Sequence, residues 1–318
     1  GSWQWMFWGS AVMGLGVMVL MSLRLRALPA AKPDGTLDLV GAAGLAVGLV
    51  ALLLAVSKGS DWGWASPLTL GLFALAAVAF PLWGLWVMRI PSPIVDLRVA
   101  ARRPVLMTNI ASVTVGMGLY AQLLIWPQVL QLPVATGHGL GQSMVAIGLW
   151  TAPAGLAMMA VSPISGRLIT TRGPKMTLVL GSIIISLGYL SGLFLMGSTW
   201  GVMVAGVISS AGVGLAYGAM PALIMGSVPR TEMGSANSVN TLMRSIGTTT
   251  SAAVLGVILT QMSMDFEGLF VPTEAGLRTG LIFGAAVTLL AAAVAASIPP
   301  PWEDEDAPED APTGAKTG

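Results

Sequence analysis

The sequence contains no cysteine and one histidine, and charged residues make up only 9% of it. Without cysteine there is no disulfide framework, no cysteine-based zinc site and no thiol nucleophile. His138 sits in Thr-Gly-His-Gly-Leu at 136–140, where a loop position is expected rather than a ligand or pH sensor. It has no second histidine or cysteine to complete a tetrahedral metal site, so no metal or cofactor is expected. A net charge of +1 provides no basic stripe able to neutralise phosphates, which excludes nucleic acid as a partner. The opening residues carry no basic stretch before the apolar run and do not read as a signal peptide.

What is abundant points to lipid as the solvent. The hydrophobic fraction is 55% and the mean hydropathy is +0.81. Soluble globular chains carry roughly 25% charged residues, so a water-soluble core does not account for this composition. The 40 glycines fit the same reading, because small residues let membrane helices approach closely. A bilayer core needs about 20 mostly apolar residues per helix. Nine such runs are found, at 6–23, 39–56, 67–88, 104–124, 144–164, 176–196, 201–224, 237–262 and 277–298.

Charge between the runs predicts orientation. Arg24, Arg26, Lys32, Arg89, Arg98, Arg102, Arg103, Arg167, Arg172, Lys175, Arg230 and Lys316 fall on one side; Lys58 and Arg278 fall on the other. Basic flanks stay cytoplasmic, which places the C-terminus inside and the N-terminus outside. Trp3, Trp5, Trp8, Trp62, Trp64 and Trp200 then sit at outer edges, and Trp83, Trp86 and Trp302 at inner ones, as interfacial aromatics do. The acidic, proline-rich tail at 303–310 reads as solvated and disordered.

No predicted span holds a carboxylate, and the one charge inside a span is Arg244. An intramembrane charge is a functional hypothesis by default. At 100° per residue, Asn237, Asn240, Thr241, Arg244, Thr248 and Ser251 share one face of the eighth span. Val239, Leu242, Met243, Ile246 and Val257 share the other. Two readings are open: a water-filled cavity wall where Arg244 attracts anionic groups or pairs with a carboxylate, or a polar seam between helices with Arg244 snorkelling to the interface. Asn109, Ser112, Gly116 and Tyr120 share a face of the fourth span. Met144, Thr151, Gly155, Met158 and Ser162 share one in the fifth, and Gly206, Ser210, Tyr217 and Pro221 one in the seventh. Small and hydroxyl residues at such spacings also serve helix packing. Pro153, Pro163 and Pro221 remove backbone donors and predict interrupted helices. The sixth and ninth spans are nearly all apolar, as expected of lipid-facing or supporting helices.

The segment Ser-Pro-Ile-Ser-Gly-Arg-Leu-Ile-Thr-Thr-Arg-Gly-Pro-Lys at 162–175 resembles the short cytoplasmic loop motif of the major facilitator superfamily. Gly166, Leu168, Gly173 and Lys175 match that motif, and Thr170 stands where it has an aspartate. The resemblance makes Gly166, Arg167, Arg172, Gly173 and Lys175 candidates for a cytoplasmic gating loop. The order of further motifs is similar to the fourteen-helix drug:proton antiporter branch, the EmrB/QacA type. Trp-Gln-Trp-Met-Phe-Trp at 3–8 resembles the opening of its sixth helix, and Lys-Gly-Ser-Asp-Trp-Gly-Trp at 58–64 the turn between its two additional helices. The stretch 214–221 with Ser227-Val-Pro and Gly234 resembles its twelfth helix and the following loop; Asn240 to Arg244 with Gly247 resembles the start of its thirteenth.

The resemblance implies an all-α integral membrane protein of major facilitator fold, with nine transmembrane helices of an expected fourteen. Residues 1–25 would be the last helix of the N-terminal bundle, 26–100 two linker helices, 101–298 the six-helix C-terminal bundle and 299–318 the tail. Five helices would precede, carrying the coupling carboxylate and a glycine-rich antiporter motif. The implied function is proton-coupled efflux of amphipathic, often cationic, drugs or metabolites across a bacterial-type plasma membrane. The implied partners are the lipid bilayer, protons, a small amphipathic substrate and an N-terminal half. Substrate would sit near the midplane between two halves. Asn109, Ser112, Tyr120, Thr151, Tyr217, Asn240, Arg244 and Thr248 are the candidate substrate-binding residues. The alternative is a membrane scaffold or regulator without transport of its own. A membrane enzyme is the poorest reading, because acid–base or metal chemistry needs His, Asp, Glu or Cys within mutual reach.

Overall fold

A computed structural model describes residues 4–25, 38–90, 95, 97–229 and 232–299. Trp3, Arg26, Lys32, Arg230, Trp302, Lys316 and the acidic tail lie outside the described residues. The chain forms two compact units, 1–37 and 38–318. The first holds helix α1, Gln4–Leu25, whose apolar stretch is Phe7–Leu23. Its Ser22 hydroxyl donates to Val19 O at 2.8 Å, so even this polar group is satisfied within the helix.

The second unit contains eight helices long and apolar enough to cross a membrane. They are α2 (Leu39–Trp62), α3 (Pro67–Val87), α5 (Arg103–Gln131), α6 (Met144–Arg172), α7 (Pro174–Leu195), α8 (Thr199–Met225), α9 (Met233–Gln261) and α10 (Glu274–Ala296). Helix α4 is a single turn, Leu97–Ala100. In lipid no water satisfies exposed backbone groups, so a continuous apolar run folds as a helix that closes its own hydrogen bonds. Five of these helices begin where a hydroxyl or carboxylate caps the first amides. Asp38 accepts from Gly41 N, Ser66 from Thr69 N, Ser143 from Ala146 N, Ser198 from Gly201 N and Thr273 from Gly276 N.

Helices α2 and α3 pair antiparallel, with Gly44 against Trp83 and Gly48 against Phe80; α2 also lies along α9. In the bundle that follows, α5 packs on α9, α10 and α8, while α7 packs on α8 and α10, and α6 lies mainly on α8. Ile125, Leu178, Ile185, Tyr189, Met220, Leu255 and Leu281 are fully buried between them. Phe194, Val145 and Met144 are among the large apolar side chains turned outward, as expected where the surrounding solvent is hydrocarbon.

The eight helices agree with the runs read from sequence, and four differences have physical causes. First, α5, α6 and α9 each run 29 residues, past the edges of their hydropathy windows, because backbone hydrogen bonding continues into the polar residues that flank the apolar run. Second, Pro153, Pro163 and Pro221 do not interrupt α6 or α8, which continue through them. Third, the expected loop at 162–175 is a helix–glycine–helix junction. Gly166, Arg167 and Arg172 belong to α6, and Lys175 to the first turn of α7; Gly173 alone makes the break at φ 84°, where a side chain would be strained. Fourth, a β-hairpin joins α9 to α10: β1 (Ser263–Phe266) pairs antiparallel with β2 (Leu269–Pro272). Its turn residues Glu267 and Gly268 have φ 55° and 81°, the left-handed pair that suits a two-residue hairpin.

The apolar sixth and ninth spans are more than supports. They are α7 and α10, and they bury Tyr189, Leu178, Leu277 and Leu281 in the core. The more polar α6 is the less covered helix, burying only Ile147 and Ser165.

Candidate functional site

The site is assembled by the close approach of α5 and α9, which run parallel. A Cβ on Gly116 would fall 2.5 Å from Arg244 O, and one on Gly247 would fall 2.0 Å from Val113 O. Glycine at these two positions lets the backbones touch, and it brings polar side chains of both helices into one plane. Asn240, fully buried, donates through Nδ2 to Asn109 Oδ1 at 3.0 Å and to Ser112 Oγ at 2.7 Å. About three turns further along α9, Ser251 Oγ donates to Met117 O at 2.9 Å.

Arg244 lies one turn beyond Asn240, at the edge of this seam. Its Nη1 donates to Asn240 Oδ1 at 3.1 Å and its Nη2 to Thr241 Oγ1 at 3.3 Å. The guanidinium carbon sits 4.8 Å above the centre of the Tyr217 ring, contributed by α8. This is a cation–π arrangement. Among the described residues no carboxylate lies within ion-pair distance of Arg244; Glu274 pairs instead with Arg278, on α10. Two neutral acceptors and one aromatic face orient the guanidinium, and three of its five N–H bonds remain for an acceptor beyond this cluster.

The polar face of α9 divides into two parts by burial. Asn240, Gly247 and Ser251 form a buried seam, whereas Thr241, Arg244 and Thr248 lie at its more open edge. Of the eight candidate residues, the structure brings together Asn109, Ser112, Tyr217, Asn240 and Arg244. It leaves Tyr120, Thr151 and Thr248 apart from them. Thr151 Oγ1 donates to Ile147 O and Thr248 Oγ1 to Ser245 O, each within its own helix. Tyr120 is half-buried against the core. At the junction, Gly166, Arg167 and Arg172 are exposed, while Lys175 Nζ reaches Ile298 O at the end of α10.

Sequence reasoning missed a second polar group. Gln122 Nε2 donates to Ser210 Oγ at 3.3 Å, and the Trp126 ring stacks on Tyr189, whose hydroxyl donates to Gly118 O. Gln122 lies off the predicted polar face of its helix, and Trp126 belongs to neither aromatic belt. Periodicity within one helix carries no signal for either. Among the described residues no group of three His, Asp or Glu side chains could hold a metal ion.

The Major Facilitator Superfamily profile matches this chain over residues 1–249 and 108–317. The chain belongs to the Major Facilitator Superfamily. It is 29% identical over 227 residues to the tetracycline resistance determinant of Streptomyces rimosus, covering 69% of this chain and 62% of that protein. It is 26% identical over 266 residues to the multidrug transporter protein MdtP of Bacillus subtilis, covering 82% and 48%. It is 29% identical over 193 residues to a multidrug resistance protein B homolog of Mycobacterium tuberculosis, covering 58% and 34%. The chain thus spans between about a third and two thirds of these relatives' lengths. In this member of the superfamily the polar constellation lies on α5, α8 and α9.

Proposed function

We propose that this chain works as part of a proton-coupled exporter of amphipathic drugs or metabolites, of the fourteen-helix drug:proton antiporter branch. In this reading residues 101–298 form the C-terminal bundle, 26–100 contribute two linker spans and 1–25 the last span of an N-terminal bundle. That bundle also supplies the coupling carboxylate. The C-terminus is cytoplasmic, and 299–318 is a solvated tail. The observation that carries the reading is Arg244, oriented and with no carboxylate in reach, on the open edge of the α5–α9 seam. A charge in that position requires a partner from across the cavity or from the substrate. Relatives named for multidrug and tetracycline resistance support efflux as the direction and amphipathic molecules as the cargo. Apolar walls with few polar groups suit such molecules.

The test uses the complete gene product in inverted membrane vesicles, with an amphipathic fluorescent dye supplied outside and its uptake followed. Dye transport is expected only under a proton gradient. Arg244→Ala should slow it about tenfold, or ~1.4 kcal/mol, at unchanged membrane level. Transport that persists with a protonophore would overturn the coupling. Transport indifferent to Arg244→Ala would overturn the site. Saturable dye binding without any transport would favour the scaffold reading.

A further inference from the structure

Gln122 and Trp126 lie four residues apart on α5, and each holds a buried polar atom without a partner: Gln122 Oε1 and Trp126 Nε1. Gln122 is 8% exposed and Trp126 5%, so neither atom reaches solvent. Both face α8, which runs antiparallel here. Gln122 contacts Ser210. One turn away, a Cβ added to Gly206 would lie 3.9 Å from Trp126 Nε1 and 3.8 Å from the Ala154 methyl of α6. The absence of that Cβ keeps clearance beside the indole N–H. The indole is held rigidly, because it stacks on Tyr189 at 6.0 Å between centroids and fits against Gly192. Exchanging the oxygen and nitrogen of the Gln122 amide would only swap an unpaired acceptor for an unpaired donor.

Buried polar groups are ordinarily paired, and leaving one unpaired is costly. Here an unpaired donor and an unpaired acceptor sit one turn apart on one seam. No charged residue occurs on α5 beyond Arg103, on α8, or on α6 before Arg167. The group that would satisfy them is therefore neutral. We propose that Gln122, Ser210 and Trp126 form a second ligand station, which takes a neutral group able to accept and donate at once: a primary carboxamide or a hydroxyl on an apolar body. Trp126 Nε1–H donates to its oxygen, and Gln122 Oε1 accepts from its N–H or O–H. Ser210 holds the other end of the glutamine amide. The station lies ten residues along α5 from Ser112, about 15 Å at the helical rise, and is distinct from the Arg244 cluster. Only the identification of this group as part of an exported substrate rests on the export reading.

Benzamide is the probe, added to the detergent-purified chain labelled with ¹⁵N-tryptophan. Trp126→Phe keeps the ring stack and identifies the Trp126 indole N–H cross-peak by its loss. Benzamide should move that cross-peak saturably, whereas toluene should leave it in place. Gln122→Met should keep the cross-peak, as evidence of folding, and weaken benzamide binding about fivefold, as expected for one neutral hydrogen bond. A cross-peak that ignores benzamide, responds equally to toluene, or titrates identically in Gln122→Met overturns the station. Absent dye export with benzamide binding intact would support the station and count only against the export reading.

Discussion

Asn240→Ala removes the residue that joins three others. The wild-type side chain makes two donations to α5 and accepts one bond from Arg244. Hydrogen bonds between helices in membrane bundles average about 0.6 kcal/mol, so the two that cross to α5 come to about 1 kcal/mol. The groups left behind raise this figure, because Asn109 is 5% and Ser112 0% exposed and neither can turn to water. An unsatisfied buried group costs about 1–3 kcal/mol; Ser112 still has the bond its hydroxyl donates to Thr108 O, which limits the added cost to Asn109. The expected loss is therefore about 2–4 kcal/mol. It is measured by equilibrium unfolding of the detergent-purified chain with SDS, followed by circular dichroism. Asn240→Asp, which keeps the acceptor for Arg244, should lose less than Asn240→Ala. If Asn240→Ala unfolds within about 0.5 kcal/mol of the wild type, the span of ordinary surface changes, then Asn240 does not hold α5 to α9.

Two further outcomes separate packing from composition. Gly247→Ala drives a methyl into Val113 O and should destabilise by about 1–3 kcal/mol. Gly256→Ala, on the same helix but with nothing within 4 Å, should be neutral or stabilise by up to about 1 kcal/mol; equal losses in the two would refute the seam. His138 bridges Thr136 O at 3.1 Å and Pro272 O at 2.9 Å. His138→Ala should therefore speed amide hydrogen exchange in the 263–272 hairpin while leaving α9 protected, and unchanged hairpin protection would show that the bridge is not holding it.

The spans were legible because the signal for them is local. An apolar run of membrane length needs no partner to declare itself, and all eight membrane-length helices beyond α1 fall on runs visible in the sequence. The candidate site was legible in part for the same reason. Asn240 and Arg244 stand out because charge and amide are rare inside spans, and their spacing puts them on one face. Thr151 and Thr248 share faces of the same kind, yet their hydroxyls close on their own helices. The β-hairpin was missed because its strands are only four residues long and lie between two strong helical patterns.

By itself the sequence determined the solvent, the spanning helices and the supply of polar groups. In hydrocarbon, an apolar chain has little choice but to satisfy its backbone internally, so composition alone implies helices. Only the tertiary structure decided which polar groups meet. Helical periodicity assigns a residue to a face and says nothing of what lies opposite. Asn240 finds Asn109 from 131 positions away because Gly116 and Gly247 let two backbones touch. Gln122 and Trp126 keep unpaired atoms because α8 offers them one hydroxyl and a glycine.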